Sequence, residues 1–192
     1  MAFTAKKQAT YADLEAVPSN FVAEILAGGL VTHPRPAPRH AAASNSLAAE
    51  ISLPFQKMRG GPGGWLFLDE PELHFGFDVV VPNIAGWRKE RTATLAEKAY
   101  IETPPDWVCE VISPSTEKYD RGIKRHIYAE AGVNYLWFVN PQEQFLEAYK
   151  LTGRDWLLIA TIIAGEEVSL EPFNAISFSL SLLFPFDPPN NP

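Results

Sequence analysis

PDWVCEVISPSTEKYDRGIKRHIYAEAGVNYLWFVNP, residues 105–141, is the stretch on which the fold turns. Its first nine residues have the composition of a buried strand, and SPST supplies a turn. Residues 117–131 then carry a helical pattern that Gly132 stops, and VNYLWFVN reads as the next strand. A strand, a helix and a second strand in this order predict an α/β architecture. Within DWVCEVI the two-residue period puts Asp106, Val108, Glu110 and Ile112 on one face and Trp107, Cys109 and Val111 on the other. Glu110 thus has apolar neighbours, where a carboxylate is costly unless a cation or hydrogen-bond donors meet it. The next helix offers the cation. Asp120, Lys124 and Tyr128 recur every fourth residue on one face, beside the apolar Ile123 and Ile127, which places Lys124 at the boundary of core and solvent. Without a functional role, Asp120 and Lys124 are a surface pair worth about 0.3 to 0.5 kcal/mol, and Glu110 is half of a structural ion pair.

Upstream, Thr10 with Asp13 three residues later predicts a capped short helix in ATYADLEAVP. FVAEILAGGLVTHP predicts a hairpin around Gly28-Gly29. Leu47, Ile51 and Phe55 recur at near-helical spacing, so AAASNSLAAEISLPFQKMRG predicts a core-packing helix. WLFLDEPELHFGFDVVVPNIAGW reads as strands broken at Pro71 and Pro82. Downstream, QFLEAYKL and DWLLIATII form two strands joined through Thr152-Gly153. Residues 1–184 are expected to form a single domain, and 185–192, rich in proline and asparagine, a disordered tail.

With 192 residues, 46% of them hydrophobic, the chain can bury a continuous core without disulfides. Its single cysteine, Cys109, excludes a disulfide framework and a four-cysteine zinc site, and fits a reducing, cytoplasmic compartment. The longest apolar stretch, WLLIATIIAG, is about half the roughly 20 residues a spanning helix needs, so no membrane partner is expected. A net charge of -7 argues against indiscriminate coating of nucleic acid but permits a local basic groove. Positive residues cluster around Arg35 and Arg39, around Arg88, Lys89 and Arg91, and around Arg121 and Lys124; alone, such clusters are ordinary solvated surface. RGGPGGW lacks the Gly-Lys-Ser/Thr of a phosphate-cradling loop, no G-x-S-x-G elbow occurs, and the histidines lack H-E-x-x-H spacing. The five tryptophans fall in strands and read as core; Trp87, beside Arg88, is the candidate for nucleic-acid contact.

The run 105–141 resembles the signature of the Uma-two family of bacterial endonucleases, close to PDLVVEVLSPST followed by DRGxKxxxYAxxGVxxYWxVDP, and residues 65–88 resemble that family's preceding strands, which end in PD. The resemblance spans the chain from about Phe21 to the strand near Ile163. It implies a restriction endonuclease-like core of the PD-(D/E)XK type, with a central mixed sheet flanked by helices and added antiparallel hairpins. An acid on each of two adjacent strands would bind Mg²⁺ or Mn²⁺ for hydrolysis of DNA phosphodiester bonds. The lysine would come from the next helix, at Lys124, because position 112 is Ile.

The resemblance assigns Glu110, Lys124 and position 83 to catalysis. Glu110, Asn83 and the Val111 carbonyl would be metal ligands, with Glu72 as a further carboxylate. Position 83 departs from the pattern: Asn stands where the family has Asp, which removes one negative charge from the ion. His40, Arg39, Arg88 and Arg121 are expected to meet substrate, and Glu24, Asp120 and Tyr128 to stand in the outer shell. Cutting both strands of a duplex asks for two sites, hence a homodimer. The competing expectation, motivated by Asn83 and the acidic charge, is a nuclease-fold interaction module without catalysis.

Overall fold

The computed structural model describes residues 8–93 and 98–186. Residues 187–192, most of the tail expected to be disordered, lie outside the described residues.

Helix α1 (Tyr11–Glu15) begins at the capping box of Thr10 and Asp13. Strands β1 (Phe21–Leu26) and β2 (Gly29–Pro34) form the expected hairpin. Its turn residues are Ala27 and Gly28, both at positive φ, as a tight two-residue turn requires. Helix α2 (Pro38–Phe55) follows, with Pro38 at its first turn. Next come β3 (Trp65–Asp69), β4 (Leu73–Phe75), β5 (Asp78–Val80) and β6 (Ile84–Arg88). The deciding segment gives β7 (Trp107–Val111), α3 (Glu117–Tyr119), a π-turn (Asp120–Lys124), α4 (Arg125–Glu130) and β8 (Tyr135–Asn140). The chain continues through β9 (Phe145–Thr152), β10 (Asp155–Ile163), β11 (Glu167–Val168) and β12 (Phe178–Ser179).

The central sheet is mixed, in the order β10-β9-β8-β7-β6-β3. Only β7 and β8 pair in parallel, the relation a helical crossover imposes. Gly86 on β6 lets the Phe67 ring lie across the backbone, since a Cβ there would come within 2.8 Å of the ring. A second, antiparallel sheet runs β2-β1-β5-β4, so the strands broken at Pro71 and Pro82 belong partly to the hairpin's sheet.

Two cores follow from the alternation in β7. Trp107, Cys109 and Val111 pack with Leu47, Ile51 and Phe55 of α2 on one face. Val108 and Ile112 pack with Ile127 and Tyr128 of α4, and with Leu26, Leu73 and Val80 of the smaller sheet, on the other. Glu110 faces this second core. Trp87 is fully buried and its indole N–H donates to the Thr103 carbonyl, which removes it as a nucleic-acid contact.

One helix was expected over 117–131; it is interrupted by the π-turn. Such a turn widens the helix by one residue and is common where side chains must converge on a site. Here it buries both Asp120 and Lys124, so Lys124 is enclosed and does not lie at the solvent boundary.

Candidate active site

The C-terminal end of β7, the start of the helical segment, the hairpin β1–β2 and the residues just before β6 surround one cavity of about 260 Å³. At its floor Lys124 Nζ lies 2.8 Å from Glu110 Oε1, 3.0 Å from Glu24 Oε1 and 3.4 Å from Asp120 Oδ1. It also donates to the Val81 carbonyl at 3.3 Å. All four charged residues are at most 3% exposed. The Tyr128 hydroxyl donates to Glu110 Oε1 at 2.5 Å, so the face shared by Asp120, Lys124 and Tyr128 is turned onto this floor.

Glu24 is held from three sides. Its Oε1 accepts the Val81 N–H at 2.8 Å as well as Lys124, and its Oε2 lies 3.2 Å from His33 Nε2. Register explains the last contact: Glu24 pairs with Val31 and Val22 with His33, making Glu24 and His33 diagonal neighbours on one face. His33 carries no obvious signal of its own, but the hairpin register places it.

Charge and burial compete here. Burial pushes the Glu110 carboxyl up to about 8, against the pull of Lys124, and raises Asp120 in the same way. Burial also opposes ionisation of Glu24, yet Lys124, His33 and the Val81 N–H together hold its carboxyl below the ordinary value. Burial would discharge Lys124, but Glu110 first and then Glu24 keep the ammonium charged well above the usual lysine range. Three acids face a single ammonium: Glu24 is held ionised, while burial favours the proton on Glu110 and Asp120.

Asn83 also lines the cavity, with its Oδ1 accepting the Val111 N–H at 2.8 Å. His40, buried at the start of α2, has its pKa lowered by burial and partly restored by the Val111 carbonyl; its Nδ1 has no hydrogen-bond partner. Glu110, Asn83, Lys124, His40, Glu24 and Asp120 are therefore brought to one cleft.

Four expected site residues are placed elsewhere. Glu72 does not face the cleft: its Oε1 bonds His74 Nε2 at 2.7 Å and the Tyr11 hydroxyl at 2.9 Å, because it leads into β4 of the smaller sheet. The nearby acid that lines the cleft is Glu70. Arg88 lies at the far end of β6 from Asn83, about 16 Å along a strand at 3.3 Å per residue, with its guanidinium 4.2 Å over Trp65. Arg121 is bound to Glu117 at 2.9 Å and Glu147 at 2.6 Å. Arg39, adjacent to His40 on α2 and so on another helix face, reaches toward the Pro141 carbonyl. Asn140, which stands where the family pattern VDP has Asp, caps the turn after β8 by accepting the Gln142 and Glu143 N–H groups.

A family model, Uma2, described as "Putative restriction endonuclease", matches residues 9–182. The chain belongs to the Uma-two family. A solved structure described as a "putative nuclease belonging to DUF820 from Anabaena variabilis ATCC 29413" is similar to this Uma-two chain, with a TM-score of 0.72. It is 20% identical in sequence, and the match covers 92% of this chain and 97% of that one, so the likeness is one of fold. Among curated proteins no relative matches. No helix among the described residues of this Uma-two protein is long and apolar enough to cross a membrane.

Whether the Uma-two cleft suits a metal turns on its donors. Among the described residues no three His, Cys, Asp or Glu side chains form a ready cage. Magnesium does not need one, since it keeps several waters and takes one or two carboxylates together with substrate phosphate. Both bonds to Glu110 from Lys124 and Tyr128 fall on Oε1, and Asn83 Oδ1 has a second lone pair beyond its bond to Val111. A divalent cation beside Glu110 would favour its ionised form, and Glu110 Oε2 with Asn83 Oδ1 is a pair of oxygen donors of the kind a hard cation takes.

Proposed function

We propose that the chain is a metal-dependent endonuclease that hydrolyses phosphodiester bonds of DNA, using Mg²⁺ or Mn²⁺ at Glu110, Asn83 and the Val111 carbonyl. The observation that carries this reading is the buried contact of 2.8 Å between Lys124 and Glu110 at the floor of an accessible cleft. When bound, the cation supplies positive charge to the phosphoryl oxygen and acidifies water. Lys124 donates to the attacking water and adds positive charge to the transition state. Glu110 and then Glu24 keep that ammonium protonated, with Asp120 adding to them, and Tyr128 fixes the Glu110 carboxyl by its hydrogen bond to Oε1. A homodimer belongs to this reading where the substrate is a duplex cut on both strands.

A second reading has its own observation. Asn83 adds no charge, and its Oδ1 already accepts the Val111 N–H. A nuclease-fold module that binds nucleic acid or protein without cutting is consistent with that.

The test is DNA cleavage with Mg²⁺ or Mn²⁺. Cleavage is expected from the wild type and not from Glu110→Gln or in excess chelator. Wild-type rates from Glu110→Gln, or cleavage with chelator present, would sink the proposal. Metal binding by Asn83→Asp alone, with none by the wild type, favours the second reading.

A further inference from the structure

The cleft around Glu110 does not end at its own walls. A neighbouring cavity of about 190 Å³ shares Pro36, His40, Glu70 and Asn83 with it and runs on along α2 past Ser44 and Asn45. The two adjoin at those four residues and together line one groove. One side is the hairpin, through Val22 and His33. The other is the turn before α3, where the Ser113 hydroxyl bonds those of Ser115 and Thr116, each at 3.0 Å.

The depth of this groove restricts what reaches its floor. Glu110 is 2% exposed and lies beneath the hairpin. A cavity of about 260 Å³ lies just below the range of about 300–1,000 Å³ usual for small-molecule pockets. It has room for one nucleotide unit. A duplex presents its phosphates on a wide, stiff rod, whereas a single strand is thin and flexible enough to follow a groove down to such a floor.

The mouth holds a cation placed to receive a backbone. Arg35 follows the hairpin, its side chain 56% exposed, with Nη1 at 3.3 Å from Glu70 Oε2 and Nη2 donating to the Ser19 carbonyl at 3.1 Å. An exposed ion pair of that length contributes little, so the guanidinium can exchange Glu70 for a phosphate, which it grips through two parallel N–H groups.

We propose that the groove takes one unpaired strand of nucleic acid, threaded past Asn83, and that Arg35 grips a phosphate flanking the one that meets Glu110 and Lys124. The inference rests on the nuclease reading for the role of the floor, but its test is a binding measurement. The full chain, with chelator present, is titrated into fluorescein-labelled oligothymidylate of about 15 nucleotides, within the span of single-strand sites, and into a blunt duplex of equal length. The single strand is expected to bind at least about tenfold more tightly. Arg35→Ala is expected to reduce the slope of log affinity against log salt on the single strand by about 0.7, the value for one phosphate contact, without changing the melting temperature; Arg35→Lys restores it.

Duplex binding as tight as single-strand binding, no measurable single-strand binding, or an unchanged salt slope in Arg35→Ala overturns the inference. Cleavage assays separate this from the parent reading. A chain that prefers the single strand yet cuts nothing with Mn²⁺ keeps the groove assignment and loses the nuclease. One that binds and cuts duplex and single strand alike keeps the nuclease and loses the groove assignment.

Discussion

Lys124 and Glu110 touch at 2.8 Å with both side chains closed off from solvent. Removing one partner of a buried pair strands the other, at about 3–5 kcal/mol. Here the loss of Lys124 strands three acids. Lys124→Met is therefore expected to lower unfolding free energy by at least about 3 kcal/mol in urea titration, and to abolish cleavage. Unchanged stability would mean that the ammonium does not compensate the cluster.

The burial of Glu110 has a pH signature. Its carboxyl rises from 4.5 to about 8, so between those values the folded protein holds a proton that the unfolded chain has released. Stability from this group is present at low pH and is lost as pH rises toward 8. Glu110→Gln should flatten the fall in melting temperature across that window; an equally steep fall would assign it to another group. Glu24 acts in the opposite sense, its lowered value giving stability that is lost on acidification.

Asn83→Asp supplies a second oxygen beside the one that accepts the Val111 N–H, together with a negative charge. Mn²⁺ affinity by titration calorimetry should rise by about tenfold or more, since two carboxylates hold a hard cation better than one. No change would place position 83 outside the coordination shell.

Glu72→Gln and Arg88→Ala should leave cleavage rates within about twofold of wild type, because neither lines the cleft. Loss of most activity in either variant would return it to the site.

Gly86→Ala forces a methyl against Phe67 at 2.8 Å. A loss of about 1–3 kcal/mol is expected in thermal or urea unfolding, the usual cost of overpacking. A neutral outcome would show that the Phe67 ring can shift.

The central strand, helix and strand were legible because each obeys its own period: alternation in β7 fixed which face Glu110 takes, and fourfold spacing aligned Asp120, Lys124 and Tyr128. The hairpin turns announced themselves through glycine. The role of Glu24 was less visible, since it depends on β1 meeting β5 through a single pairing, Ile25 with Val79, fifty-odd residues away in the chain. Glu70 carries no signal of its own as a cleft acid, because local pattern does not reveal that it turns at positive φ while Glu72 passes into the other sheet. The arginines misled for a similar reason. Proximity in sequence to Trp87 or to Lys124 says nothing about which carboxylate or ring a long side chain will find.

The π-turn at Asp120–Lys124 makes the acid cluster a matter of rotational phase. A π-turn holds one residue more than an α-helical turn, so a chain shortened by Gly122 alone returns to α-helical pitch with Asp120 and Lys124 three apart, still on one face. The extra residue of the turn is what such a missing letter would consume, and the pairing of acid and ammonium would outlast it.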